Sequence, residues 1–233
     1  MTIFQIIAIV AMAFCVLILL CSFSKLVRLG APKDLSEPSG SVKRGVIYSN
    51  TLAMLPNHKE SAHKHWLSFI AGMLFHAGIF LSLLMLLISF FPCIIQWIVN
   101  CCWIQYGIAG ILLVTSICGF SLFVKRLFYK SLRSISNLDD YLSNGLTTLF
   151  QFFTLLWVLT PGVVAVPVPH LIALWQLLLI PSVCTIHICY YIVVILLLLY
   201  MPFGKLKHFL YYLSARYHLG FFYGRRNVWP PKK

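Results

Sequence analysis

The chain has 233 residues, of which 61% are apolar and only 10% charged, and its mean hydropathy is +0.91. A soluble domain of this size could not cover its surface with polar side chains, so the composition excludes that class and indicates an integral membrane protein. The formal net charge of +13 has to be explained by the arrangement of the loops.

Windows of about 20 apolar residues predict five membrane-spanning helices. They lie at Ile3–Phe23, Trp66–Phe91, Trp103–Val124, Thr147–Val164 and Ile180–Phe203. Pro161, Pro167 and Pro169 interrupt the end of the fourth segment. We expect His170–Leu179 to form a short helix or loop on the membrane surface.

The basic residues are confined to alternate loops. Residues 24–65 contain seven Lys and Arg, residues 125–145 four, and the chain after the fifth segment seven, which accounts for all eighteen. The positive-inside rule then places the N-terminus outside and the C-terminus in the cytoplasm. We expect one all-α membrane domain over residues 1–233, ending in a basic tail at 204–233. Topology and anionic lipid explain part of the charge, and docking of a soluble partner is the alternative that charge alone does not decide. No nucleic-acid partner is expected.

The first segment carries no ionisable side chain and is interpreted as a packing helix. The loop after it has a Pro-, Gly- and Ser-rich middle, APKDLSEPSGS, which is expected to be irregular. Asp139 and Asp140 are interpreted as charges of a helix N-terminus rather than a metal or proton site. The eight cysteines show no CxxC, CxxCH or zinc spacing, which disfavours covalent haem attachment. Cys93 with Cys101 or Cys102 is a candidate disulfide.

Histidines stand on two of the predicted helices. His65 and His76 are eleven residues apart, three turns with about 20° of offset, so they share a face of the second helix about 16 Å apart. His187 lies inside the fifth helix, and His208 follows its inner end. These two helices are antiparallel. Counted from the inner boundary, His76 matches His187 in depth and His65 matches His208, each to within about 10 Å.

A histidine in hydrocarbon is costly and therefore a candidate for function, although a histidine satisfied by a neighbouring helix is the alternative. A pair on facing helices suits the two axial positions of a haem iron. A zinc site would need more ligands, and a proton relay would usually include carboxylates within the membrane. Two stacked haems would form a transmembrane electron path. A haem-free anchor is the non-redox alternative, while a transporter is disfavoured because no internal repeat is visible.

Three stretches, LFHAGIF, PFGKLKH and YYLSARYHL, resemble the γ (cytochrome b) subunit of respiratory nitrate reductases. The wider group includes the membrane cytochromes of sulfite-reductase-associated and heterodisulfide-reductase-like complexes. The resemblance implies a b-type dihaem cytochrome in the cell inner (cytoplasmic) membrane, serving a quinol-dependent oxidoreductase complex and not a complete enzyme alone. Electrons would pass from a quinol near the outer face to an iron–sulfur subunit on the cytoplasmic side, within a hetero-oligomeric complex.

The resemblance also implies that His76, His187 and His208 are haem ligands. The family pattern has a further histidine on helix two where this chain reads LLMLLIS, and the span from His187 to His208 is longer here. Strict alignment pairs His76 with His208 and leaves one haem, but about 22 Å of depth would have to be absorbed. The depth count favours two haems, held by His76 with His187 and by His65 with His208.

A quinone site is expected at the outer face, where polar and aromatic residues meet the haem nearer that side. The candidates are Gln96, Trp97, Trp103, Tyr106 and His170.

Overall fold

The computed structural model describes residues 3–30, 33–55, 64–160 and 170–231, with the side chains of the last range described from Thr185 onward. Within these ranges the chain forms helices and turns but no β-strand. The helices are α1 (Ile3–Arg28), α2 (Val42–Asn50), α3 (Trp66–Ile88), α4 (Pro92–Asn100), α5 (Cys102–Phe128), α6 (Lys130–Ser134), α7 (Leu138–Leu159), α8 (His170–Tyr200) and α9 (His208–Arg225).

The described residues are all-helical, as predicted, and several of their helices are candidates for crossing a membrane. Helices α1, α3, α5 and α7 are each long and apolar enough to span it, and α8 with α9 beyond a short break is a fifth candidate. Most helix ends differ from the predicted bounds by a few residues, and the starts of α7 and α8 differ by nine or more. Helix α7 begins at Leu138, nine residues before Thr147, because Asn137 caps it there; residues 161–164 of the predicted segment lie outside the described residues. His170–Leu179 is continuous with α8 instead of forming a separate element.

The chain divides into two compact units. Met1–Phe14 and Ile70–Tyr200 form the first, called here the bundle unit, and Cys15–Phe69 with Met201–Lys233 form the second, the tail unit. The sequence predicts a single membrane domain, and this division is a feature that hydropathy does not report.

In the bundle unit, polar contacts join α5, α7 and α8 at one end, called here the charged end. Arg126 in the last turn of α5 forms an ion pair of 2.8 Å with Asp140 in the first turn of α7. Asp140 also completes a capping box with Asn137, which satisfies two backbone donors that a helix start leaves unpaired. The Tyr200 hydroxyl at the end of α8 donates to the Asp139 carboxylate. The interpretation of Asp139 and Asp140 as helix N-terminal charges is confirmed.

Small residues let the bundle helices approach closely. A Cβ atom at Gly78 of α3 would overlap the side chains of Thr115 and Gln151. A Cβ atom at Gly119 of α5 would lie 2.6 Å from the Phe75 ring and 2.8 Å from the hydroxyl of Thr148. Close backbone approach at small residues is the usual way in which helices associate in lipid. An apolar side chain gains little free energy by moving from lipid into a helix interface, because the lipid tails are equally apolar. The core of the bundle unit therefore has no room at these crossings.

In the tail unit, α2 packs against α9 through glycines on both helices. Gly220 and Gly224 are spaced as small-xxx-small on α9, and a Cβ atom at Gly224 would lie 2.8 Å from the Gly45 Cα. Ser49, one turn after Gly45, donates its hydroxyl to the Arg216 carbonyl at 2.7 Å, and the Arg216 guanidinium donates back to the Ser49 carbonyl. We call this α2–α9 pair, with the segments 33–41 and 226–231 that pack on it, the clasp.

The irregular segment before α2 is held to α9 by polar contacts. The described part of APKDLSEPSGS, residues 33–41, has no regular secondary structure, as expected. The amides of Ser39 and Gly40 both donate to the Arg225 carbonyl at 2.9 Å. Asp34 forms an ion pair of 2.9 Å with Arg226. The Ser36 amide and hydroxyl donate to Asp34 at 3.0 and 2.8 Å. These hydrogen bonds, and then the charges of Arg226 and Arg225, hold the pKa of Asp34 below its usual range.

Adding one methyl group at the helix crossing should open the clasp. In Gly45→Ala the new Cβ would overlap the Gly220 carbonyl oxygen, a backbone atom that cannot rotate away. We expect the tail unit to lose about 1–3 kcal/mol of stability, the usual cost of overpacking. Faster amide hydrogen exchange in α2 and α9 would report it. Gly110→Ala on α5, where a Cβ atom meets nothing within 4 Å, is the matched control. If amide hydrogen exchange in α2 and α9 is unchanged in Gly45→Ala, the close contact of Gly45 with α9 is wrong.

Acid should loosen the same clasp. Because folding lowers the pKa of Asp34, its contribution is complete above the unfolded value of about 3.9 and is lost as the pH falls through the lower folded value. We expect exchange at the Ser39 and Gly40 amides, corrected for its intrinsic pH dependence, to rise below about pH 4. Asp34→Asn should show the loosened state at neutral pH with no further change on acidification. An acid transition that persists in Asp34→Asn would assign the effect to another group.

Candidate functional site

His76 lies on α3 with an exposed ring in a defined tautomer. Its Nδ1 lies 2.7 Å from the carbonyl oxygen of Gly72, one turn earlier. A carbonyl can only accept, so Nδ1 carries the proton and the lone pair of the neutral ring is on Nε2. This is the arrangement by which backbone carbonyls orient histidines that bind metals. A Cβ atom at Gly72 would meet nothing within 4 Å, so this face of α3 is open beside the ring.

His208 repeats the pattern in the tail unit. Its Nδ1 lies 2.8 Å from the Lys205 carbonyl, so the lone pair of the neutral ring is again on Nε2, and the ring is exposed at the first residue of α9. His65 is exposed just before α3, and its backbone carbonyl accepts from the Phe69 amide at 3.0 Å. The predicted partners His65 and His208 thus belong to the same compact unit, as do His76 and His187 in the bundle unit.

His187 is half-buried within an aromatic stack between α7 and α8. Its ring meets Trp157 edge-on, with centroids 6.4 Å apart and planes at 70°. Trp157 stacks on Tyr190 at 5.5 Å, and Tyr190 in turn stacks on Phe150 at 6.3 Å. The imidazole of His187 therefore faces α7. The depth count from the sequence pairs His187 with His76 but does not predict its contact with Trp157.

The relative depth of His76 and His187 follows from their contacts with α7. The carbonyl of Phe75, next to His76, accepts from Gln151 Nε2 at 3.1 Å. His187 lies beside Trp157, six residues further along the same helix, which corresponds to about 9 Å. This offset agrees with the depth difference of less than about 10 Å counted from the sequence.

The quinone candidates lie at the other end of the bundle unit, called here the uncharged end. Trp97, Trp103 and Tyr106 are 62%, 88% and 65% exposed, and Gln96 is exposed beside them. The side chain of His170 lies outside the described residues. These groups form an exposed aromatic surface around α4 and the start of α5.

A small cavity at this end has a different lining. It measures about 20 Å³ and is lined by Met85, Ile95, Ile98, Val99, Gln105, Trp157, Val158 and Thr160. Gln105 Nε2 donates to the Val158 carbonyl at 2.7 Å, tying α5 to the end of α7. Gln105 is not among the residues singled out from the sequence. Its position one turn into a helix that follows a short amphipathic segment was the available signal.

The described geometry fits a haem in part. The exposed rings of His76 and His208 have the tautomer that an axial ligand needs, and α3 is open beside His76. On the side of His187 that faces α7, Trp157 and Tyr190 fill the space, so a macrocycle there would require the indole to move.

No protein-family model matches the chain, and searches of curated proteins and of solved structures found no similar protein. The resemblance to the nitrate-reductase γ subunit therefore rests on the quoted stretches alone.

Proposed function

We propose that this chain is a haem b-binding membrane subunit of a respiratory oxidoreductase complex in the cell inner membrane. It would carry electrons between membrane quinone and an iron–sulfur partner. The observation that carries the proposal is the tautomer of His76 and His208. In both rings Nδ1 is bound to a local backbone carbonyl and Nε2 holds the lone pair, which is the ligand form of histidine.

Within the bundle unit His76 and His187 would hold one haem, and within the tail unit His65 and His208 would hold the second. A bound haem supplies reversible one-electron transfer. The residues of the chain orient the imidazoles: Gly72 and Lys205 through their carbonyls, and Trp157 by packing on His187. The single-haem arrangement of His76 with His208 is the competing assignment.

The proposed orientation has the N-terminus outside and the charged loops in the cytoplasm. Lys43 and Arg44 on α2, and Lys205 and Lys207 before α9, are exposed in the tail unit. Such a basic surface favours an acidic soluble partner, and the resemblance supplies its class, an iron–sulfur subunit. Quinone would approach the uncharged end through the exposed aromatic surface of Trp97, Trp103 and Tyr106 together with Gln96 and His170.

The alternative function is a haem-free or single-haem anchor that docks a soluble redox complex. Two observations favour it: the packing of Trp157 and Tyr190 around His187, and the tight glycine crossing that joins α2 to α9 in the clasp.

A reduced-minus-oxidised absorption spectrum of the purified chain separates the two functions. We expect the bands of a bis-histidine b-type haem, with His76→Ala and His187→Ala each losing at least one haem per chain by pyridine haemochromogen assay. His218→Ala is the matched control, because His218 lies on α9 of the tail unit and is not one of the proposed ligands. A spectrum without haem bands would favour the anchor, and full haem content in His187→Ala would reject that ligand.

The number of haems tests the pairing. Two haems per chain, falling to one in His65→Ala and remaining two in His63→Ala, would support His65 with His208; His63, two residues earlier in the sequence, is the control because it is not a proposed ligand. One haem in the unmodified chain, lost in His208→Ala, would instead favour His76 with His208.

Partner binding should weaken as salt rises, because charges on an exposed surface are screened beyond about 8 Å at physiological ionic strength. Acid-labile sulfide that co-isolates with the chain from native membranes would measure the bound iron–sulfur protein. We expect it to fall several-fold between about 0.05 and 0.5 M salt, and to fall at low salt when Lys43 and Arg44 are both changed to Gln. Retention indifferent to both changes would point to an apolar interface, such as the exposed ring of Phe222.

A further inference from the structure

The connection between α5 and α7, residues 127–138, exposes large apolar side chains at the charged end of the bundle unit. Four of them are between 61% and 81% exposed: Phe128, Tyr129, Ile135 and Leu138. An apolar side chain in the middle of a spanning helix is expected to face lipid tails, but these four lie at or beyond the helix ends. A group of exposed apolar side chains in such a place usually marks a surface that binds a protein or a membrane.

The connection begins and ends beside charged residues. Arg126, in the last turn of α5, pairs with Asp140, in the first turn of α7, at 2.8 Å. Because charge is costly in hydrocarbon, this ion pair lies at or beyond the edge of the hydrocarbon layer. Helix α5 has 27 residues and is about 40 Å long, which exceeds the roughly 30 Å of hydrocarbon. Phe128 and Leu138, which lie beyond the ion pair on the two helices, are therefore level with the lipid headgroups.

The connection is folded by its own hydrogen bonds. The Tyr129 carbonyl accepts from the amides of Leu132 and Arg133 at 3.0 and 2.9 Å. The Ser136 hydroxyl donates to the Leu132 carbonyl at 2.7 Å. The Lys125 ammonium lies over the Tyr129 ring, 5.7 Å from its centroid. The exposed side chains therefore stand on a backbone of defined geometry.

The same connection carries positive charge without counter-charge. Lys130 and Arg133 are three residues apart on α6, a spacing that places them side by side, and both are exposed. Residues 125–138 contain four basic residues and no acidic one. Arg126 is paired with Asp140, but neither Lys130 nor Arg133 forms an ion pair with any residue that the structure describes. Two positive charges thus lie in the same short connection as the exposed apolar side chains.

We propose that the α5–α7 connection is a binding site for an anionic phospholipid. Lys130 and Arg133 bind the headgroup phosphate, and Phe128 and Leu138 contact the upper part of the acyl chains. Tyr129 has the amphipathic ring that is enriched at the boundary between membrane and water. Basic residues next to a spanning helix attract anionic lipid, and a zwitterionic headgroup cancels its own phosphate charge, so the site favours the anionic lipid.

An acidic soluble protein would fit the two charges but not the position of the apolar side chains. To reach Phe128 and Leu138, the end residues of two spanning helices, such a protein would have to displace the surrounding lipid. The lipid site goes beyond the proposed electron transfer and does not depend on it. It is also separate from Lys43 and Arg44, which belong to the tail unit and are proposed to bind the iron–sulfur partner.

Amide hydrogen exchange of residues 130–138 in the detergent-purified chain tests the charged part of the site. We expect dioctanoyl phosphatidylglycerol to slow this exchange at a much lower concentration than dioctanoyl phosphatidylcholine does. In the Lys130→Gln, Arg133→Gln double variant the half-maximal concentration should rise about 20–30-fold, since each basic residue near an anionic lipid surface contributes about fivefold. The Lys43→Gln, Arg44→Gln double variant is the matched control, because it removes the same charge from the other unit. Equal protection by the two lipids, or an equal loss in the two double variants, would overturn the proposal.

The apolar part of the site separates lipid from other occupants. Phe128→Ala should weaken the protection by phosphatidylglycerol at least several-fold, because an apolar contact is lost. Phe120→Ala, at an exposed ring in the middle of the same helix, should leave it unchanged. Glycerol 3-phosphate, which has the phosphate without acyl chains, should not protect; if it protects as well as the lipid, the site binds free phosphate and the lipid assignment is wrong. If no lipid protects the connection and only a complex isolated from native membranes does, its occupant is a partner protein.

Discussion

The approach of helix backbones at glycine is the interaction on which both units depend. Gly78 of α3 leaves room for Thr115 and Gln151, and Gly45 of α2 leaves room for the backbone of α9. In an apolar medium the burial of another apolar side chain gains little, so packing at small residues and hydrogen bonds between helices hold the structure.

The polar groups of the bundle unit are sorted by depth. The ion pair of Arg126 with Asp140 and the contact of Tyr200 with Asp139 lie at the charged end, where water is near and charge costs little. In the core, the polar side chains that pack between helices are neutral, and Thr115, Thr147 and Thr154 donate to carbonyls of their own helix. Gln151 differs because it reaches across to α3, which joins the helix of His76 to α7.

The histidines that motivate a redox function differ in their surroundings. His76 and His208 are exposed and oriented by backbone carbonyls, as ligands of a metal would be. His187 is part of an aromatic stack, an environment that serves equally as packing. The electron-transfer and anchor functions make different use of the same helices: the first requires space beside His187, and the second requires only the clasp.

The sequence by itself determined the class of protein, the approximate positions of the long helices and the role of Asp139 and Asp140, because hydropathy and capping act over a few neighbouring residues. It also gave the depth of His76 relative to His187, since the rise of a helix per residue is fixed. The sequence did not predict α2, and it predicted a basic tail where the structure has α9. Only the tertiary structure decided the rotation of each helix, and with it the packing of His187 on Trp157, the contact of Gln151 with the Phe75 carbonyl, and the glycine contacts of the clasp. Helices that are apolar on every side carry no periodic pattern that marks an inner face, so their rotation depends on how neighbouring helices pack.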